Sequence, residues 1–230
     1  MINLNIRIPA TPMSFYPDDQ KSVIKKRLTD IYSQYKKEID FVSSATKLPA
    51  NLITSFIFIE SNGKVNAVSS AKAVGLMQII PTSASDILVL ENKKGRLTEP
   101  EKKILTQKLG SRFTDGVLKM KFLGDKVKVD GVYSSSFVTQ KDLFDPLLNI
   151  LIGSIYLGLL VDEHTEGKDI RLDKVVIRYN RGYFSDNRGK NIVGTLENVI
   201  KNVPTESKNY VLKLLGKNGT LDSYFLNIAQ

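Results

Sequence analysis

Apolar and polar positions recur along this chain at two periods. Val23, Ile24, Leu28, Ile31, Tyr32, Tyr35, Ile39 and Val42 stand three or four apart, which predicts an amphipathic helix through about Ser43, capped by Asp18 or Asp19. Pro49 suits the first position of a second helix, which carries Leu52, Ile53, Phe56 and Ile57 and runs to Glu60. Asn62-Gly63 stops it. A polar loop to Val74 and the run Gly75 to Pro81 lead into a helical stretch from Thr82 to Leu90. Thr98 with Glu101 fits a capping box for a short helix ending near Gly110. Asp145-Pro146 opens a long apolar helix to about Glu163. Another helix covers Leu172 to Asn180, is ended by Arg181-Gly182 and precedes a Gly/Asn-rich loop; a last one follows Pro204 and ends at Gly216.

A period of two appears twice. Ile2, Leu4, Ile6 and Ile8 predict a short strand before Pro9, Pro12 and Pro17. Val117 to Val129 alternates apolar residues with lysines around Gly124-Asp125, which reads as a β-hairpin with Lys119, Lys121, Lys126 and Lys128 at alternate positions. The expected fold is mainly α with a small β-hairpin insertion. Residues 1–43 read as an N-terminal extension with a strand and a helix. Residues 44–216 read as the main domain, with an insertion at 91–142 that projects from it, and 217–230 as a C-terminal tail.

Composition narrows the chemistry. The chain has 230 residues, 42% hydrophobic, enough for one compact domain with an extension. It has no cysteine, which excludes disulfides, thiolate nucleophiles and thiolate metal sites. The one histidine, His164, follows Asp162-Glu163 at a helix C-terminus and reads as exposed; a multi-histidine metal site is impossible. The net charge of +9 favours polyanions, but the lysines are scattered and form no nucleic-acid arm. The apolar run Leu147 to Val161 is short for a bilayer, carries Asn149, Gly153, Ser154 and Gly158, and reads as a buried core helix; no transmembrane segment is expected. The opening residues show no secretory signal pattern.

Glu60 is the most informative residue. It falls four positions after Phe56 and three after Ile57, on their face of the helix. A carboxyl beside an apolar face is desolvated, which favours its neutral form and suits a general acid. Spacing alone leaves open a solvated glutamate at a helix end.

The surrounding motifs bear on that choice. Glu60-Ser61, then Ser69, then Gly75-Leu76-Met77-Gln78-Ile79-Ile80-Pro81 resemble the soluble lytic transglycosylases, relatives of goose-type lysozyme. Asp145-Pro146 with Asn149-Ile150, Gly153 and Tyr156-Leu157 resembles that family's Asp-x-x-x-Asn-Ile-x-x-Gly-x-x-Tyr-Leu helix. Tyr179-Asn180-x-Gly182 resembles its Ala-Tyr-Asn-Ala-Gly motif, and Pro204-x-Glu206-Ser207-x-x-Tyr210-Val211 its Pro-x-Glu-Thr-x-x-Tyr-Val segment. The resemblance spans roughly residues 40–216, interrupted by 91–142. Two alanines of the Ala-Tyr-Asn-Ala-Gly motif are Arg178 and Arg181 here, and Lys64-Val65-Asn66 replaces a proline-containing segment after Glu-Ser.

The resemblance implies a lysozyme-like, goose-type α-helical domain with Glu60 as the single catalytic acid/base. It implies that Ser69 lies near the reacting sugar's acetamido group, Gln78 lines the cleft, Tyr179 approaches the catalytic carboxyl and Glu206 binds saccharide. Ser61, Met77 and Asn180 complete the candidate substrate-binding set, with Met77 either cleft wall or core. The implied reaction cleaves the MurNAc-β-1,4-GlcNAc bond of peptidoglycan with closure of a 1,6-anhydro ring, and needs neither metal nor cofactor. A hydrolytic muramidase or an inactive wall-binding protein are the alternatives. The implied partners are peptidoglycan strands and, for delivery to the cell wall, a phage virion or a secretion machine, with a phage-encoded, virion-associated protein favoured and no nucleic acid expected.

Overall fold

A computed structural model describes residues 11–123, 126–129, 132–133, 136–167, 169–182 and 196–225. The strand expected from Ile2 to Ile8 and the tip of the expected hairpin, Gly124-Asp125, lie outside the described residues.

The chain begins with β1 (Thr11–Ser14), a single turn of 3-10 helix, α1 (Lys21–Gln34) and α2 (Lys36–Thr46). One continuous helix was expected here. Tyr35 breaks it with φ −114° and ψ 26°, outside the helical region. Its ring is buried and its hydroxyl donates to the Gly63 carbonyl at 3.1 Å. The bend lets α1 pack on α3 (Ala50–Ser61) while α2 packs on α7 (Pro146–Glu163).

Helix α3 runs through the interior: Leu52, Ile53, Phe56 and Ile57 are all essentially inaccessible. Pro49 is its N-cap rather than its first helical residue. Asn62 closes it in the left-handed conformation, held by Arg27, whose Nε donates to Asn62 Oδ1 at 2.9 Å. Helices α4 (Pro81–Lys93), α5 (Glu99–Leu109) and α6 (Ser111–Lys119) follow, with the expected Thr98–Glu101 capping box on α5. Next comes an antiparallel sheet of β2 (Met120–Leu123), β3 (Lys126–Val129) and β4 (Val132–Tyr133).

The hairpin is present, with Leu123 opposite Lys126 and Lys121 opposite Lys128. It starts later than the alternation suggests: Val117, Leu118 and Lys119 are helical. Alternation over three residues is also compatible with one face of a helix, and the α6 turn wins because Phe113 anchors it in the core. The insertion as a whole does not project. Leu97, Leu105, Leu109, Phe113 and Val138 belong to the main hydrophobic core, and α5 packs on both α2 and α7.

Helix α7 is the spine. It is long and apolar enough to cross a bilayer by length and composition, yet it is largely buried inside the protein. Asp145 caps it, accepting from the Leu148 amide at 3.0 Å. A two-residue hairpin, β5 (Thr165–Glu166) with β6 (Asp169–Ile170), leads to α8 (Leu172–Arg181). His164 sits at the C-terminus of α7 as expected, but it is buried rather than exposed, and burial lowers its pKa. The chain folds back over it because the His164 carbonyl accepts from the Arg171 amide at 2.9 Å.

Helix α9 (Leu196–Asn202) was not anticipated; among its described side chains Leu196 and Ile200 are buried, too few positions to set a period. Helix α10 (Thr205–Leu215) packs on α8, and β7 (Gly216–Lys217) pairs in parallel with β1. Helix α11 (Thr220–Phe225) rests on α1 and α10, with Leu221 fully buried. The two ends are further tied by Lys21–Asp222 at 3.2 Å and Lys217–Asp18 at 3.1 Å. These pairs are largely solvated and contribute little individually.

Candidate active site

The cleft forms where the end of α3, the loop from Ser69 to Ile80, the start of α4, the end of α8 and the start of α10 converge. It encloses about 430 Å³. Its wall includes Glu60, Ser69, Ser70, Gln78, Ser83, Tyr156, Tyr179, Asn180, Arg181 and Glu206.

A single buried asparagine shapes the loop. Asn149 of α7 donates to the carbonyls of Val74 and Leu143, each at 2.9 Å, and its Oδ1 accepts from the Met77 amide at 2.8 Å. Gly75 passes directly over it with φ +78°; a Cβ there would fall 2.2 Å from Asn149 Nδ2. Glycine at 75 and asparagine at 149 are therefore one device, not two motifs. Gly153 does the same for Met77, whose Sδ would lie 2.6 Å from an added Cβ.

Glu60, the next-to-last residue of α3, is fixed by this frame. Tyr210 of α10 donates its hydroxyl to Glu60 Oε1 at 2.6 Å. Burial lifts the Glu60 carboxyl from 4.5 to about 7. The bond from Tyr210 and the charge of Lys213 work against that rise, and the charge of Glu206 adds to it. Desolvation wins because the carboxyl sits against an aromatic wall. Phe56 meets the Tyr179 ring at 4.8 Å and the Tyr210 ring at 6.1 Å, and Tyr179 stacks on Tyr156 at 4.8 Å. Burial raises the pKa of both Tyr179 and Tyr210 well above 10, so both stay protonated donors at neutral pH. Tyr179 donates to the Met77 carbonyl at 2.9 Å, and Tyr156 to the Arg178 carbonyl at 3.0 Å.

The structure brings six of the sequence-predicted residues together on the cleft wall: Glu60, Ser69, Gln78, Tyr179, Asn180 and Glu206. Ser69 Oγ accepts from the Ala73 amide at 3.0 Å, which braces the loop. Gln78 holds φ +48° and donates through Nε2 to the Gly75 carbonyl at 2.9 Å. Asn180 accepts from Ser207 Oγ at 3.0 Å and reaches toward Glu206 at 3.5 Å.

Two predicted residues do not reach the cleft. The Ser61 hydroxyl turns inward to the Leu76 carbonyl at 2.8 Å, joining the two motifs instead of facing a ligand. Met77 is fully buried against α7, so of its two readings core is the one observed. Tyr210, Tyr156, Ser70 and Ser83 were given no role. Tyr210 stands four positions after Glu206, so the helical period already placed both on one side of α10. Nothing in one sequence pairs that side with Glu60.

A mainly helical domain with one desolvated glutamic acid on a polar cleft defines the class, a lysozyme-like fold. Residues 38–109 match the family model described as the Transglycosylase SLT domain. The chain is 29% identical over 149 residues to the membrane-bound lytic murein transglycosylase E of Buchnera aphidicola subsp. Baizongia pistaciae, an alignment that covers 64% of this chain and 51% of that protein. It is 24% identical over 183 residues to the same-named protein of Buchnera aphidicola subsp. Acyrthosiphon pisum, covering 75% of this chain and 64% of that one. The fold is similar to that of an inactive mutant of the lytic transglycosylase Slt from Pseudomonas aeruginosa, with a TM-score of 0.50 and 16% identity over 82% of this chain and 23% of that one. Over residues 38–109 the chain is thus similar to the transglycosylase SLT domain, and the likeness to the solved Slt structure is one of fold. It spans between half and two thirds of the length of the curated relatives it matches. The family match covers residues 38–109 and so includes α5.

Proposed function

We propose that this chain is a peptidoglycan lytic transglycosylase that uses Glu60 as its one acid/base. The observation that carries this is the carboxyl itself: partly open to the cleft, walled by aromatic rings, oriented by Tyr210 and shifted to about 7. A general acid works best with a pKa near the operating pH. Neutral Glu60 donates its proton to the glycosidic oxygen as the bond from the muramic C1 breaks. Positive charge gathers at C1. The C6 hydroxyl then attacks C1, returns its proton to Glu60 and closes the 1,6-anhydro ring, so no water is consumed. Ser69, Gln78, Tyr179, Asn180 and Glu206 bind the sugars around the bond, all within residues 44–216, proposed as the catalytic domain.

Mass spectrometry of digested sacculi tests this directly. Muropeptides ending in 1,6-anhydro-muramic acid are expected. A second reading, a hydrolytic muramidase, is favoured by one feature: Glu206 places another carboxylate on the same cleft, where it could activate water. Products with only free reducing muramic ends would select that reading. Delivery by a phage particle is proposed from the sequence reading alone; peptides of this chain in purified virions would support it, and their absence would favour a secretion machine.

A further inference from the structure

Arg181 departs from the alanine that the family motif carries at this position, and the structure puts it on the cleft wall. It is the last residue of α8, half-buried, two positions after Tyr179. Among the described residues that line the cleft it is the one base, facing two acids, Glu60 and Glu206. Its neighbour Asn180 is already bound to Ser207 and Glu206, whereas no carboxylate of the described residues lies within ion-pair distance of Arg181.

A cation on a saccharide cleft needs a reason. Sugar hydroxyls and acetamido groups are neutral and are served by serines, asparagine and glutamine. Carboxylates are what separate a muramic-acid polymer from a neutral β-1,4-linked amino-sugar chain. They occur in two places: on the lactyl group where no peptide is attached, and on the stem peptide where one is. A guanidinium forms paired charge-assisted hydrogen bonds with either. Resting on the reading of the cleft as a peptidoglycan site, we propose that Arg181 is a specificity-determining residue that binds a substrate carboxylate, so that the cleft selects acid-bearing glycan strands over neutral ones. A basic residue at a helix C-terminus also interacts favourably with the helix dipole. That role would alter stability but not the order of preference among ligands.

The test measures binding by calorimetry with Glu60→Gln protein, so that no ligand is consumed. Four soluble tetrasaccharides serve as probes. One is neutral chitotetraose; one alternates GlcNAc and MurNAc with free lactyl acids. Two carry an Ala-D-Glu stem, with both glutamate carboxylates free or with both amidated. At low salt the acid-bearing ligands should bind about tenfold more tightly than the neutral one, the size expected of one partly solvated charge-assisted contact. Adding Arg181→Ala should bring the ratio close to one, Arg181→Lys should keep part of it, and Arg181→Glu should invert it. Loss of preference on amidation assigns the contact to the stem; preference for the free lactyl acid assigns it there. An unchanged ratio in folded Arg181→Ala protein overturns the proposal while leaving the peptidoglycan reading intact. Failure of the Glu60→Gln protein to bind any of the four overturns that reading, and this inference with it.

Discussion

Replacing Glu60 by glutamine should abolish turnover and, at the same time, change how stability depends on pH. Glutamine keeps the shape and can still accept from Tyr210, but it cannot cycle a proton. General acid/base catalysis contributes about 10²–10⁴-fold, so activity should fall by at least that range. The stability effect follows from the raised pKa. Glu60 titrates near 4.5 when solvated and near about 7 in the folded protein. A carboxyl whose folded pKa is raised is comfortable in the folded state while neutral. Below the unfolded value its contribution is fully present; it is lost as pH rises from about 4.5 through about 7, because the buried group must then carry charge. At about 1.4 kcal/mol per pKa unit the full loss is about 3 kcal/mol, an upper bound because one side of the carboxyl opens on the cleft. Urea unfolding of wild type and Glu60→Gln should therefore give similar stabilities near pH 4. The variant should be more stable by roughly 2–3 kcal/mol at pH 8. Asp86, lifted by burial to about 6, contributes to the pH dependence of both proteins and cancels in the difference. A gap that stays constant from pH 4 to pH 8 would mean that Glu60 is solvated like an ordinary surface glutamate, and the reasoning from desolvation would be refuted even if the variant is inactive.

Tyr210→Phe removes the donor that favours the ionised form of Glu60, so the alkaline limb of kcat/KM should move up by about one pH unit, as measured by pH–rate profiles; a downward move would contradict the assigned bond. Asn149→Ala leaves the Val74 and Leu143 carbonyls and the Met77 amide without a partner in a fully buried site, and should cost about 3–5 kcal/mol in urea unfolding. Gly75→Ala must hold φ +78° with a Cβ against Asn149 Nδ2 and the Leu143 carbonyl, and should lower the yield of folded protein and its melting temperature more than Gly95→Ala, whose Cβ meets nothing within 4 Å at a similar φ.

Much of this protein was legible in one dimension because it rests on local physics. Helix ends are set by residues that sit within one turn of each other: the Thr98–Glu101 box, the Asp145 cap and the Asn62-Gly63 stop all fell where the residue types put them. The apolar run of α7 is so continuous that no arrangement but burial suits it in a folded domain, and Glu60 could be singled out because Phe56 and Ile57 share its helix. What the sequence could not settle were the relations between distant segments. Tyr35 breaks an otherwise uninterrupted helical period because its hydroxyl finds the Gly63 carbonyl, 28 positions away. His164 is buried by a return of the chain through Arg171, and the lysine alternation after α5 gives way to helix because Phe113 has a core to enter. Ser61 looks like a ligand-binding serine until Leu76 is seen to take its hydroxyl. Most consequentially, 150 positions separate Tyr210 from Glu60, and only the packing of α10 beside α3 turns two half-informative residues into a carboxyl of defined orientation with a pKa of about 7. Desolvation depends on the three-dimensional surroundings of an atom, and those are assembled from segments whose pairing no local period encodes.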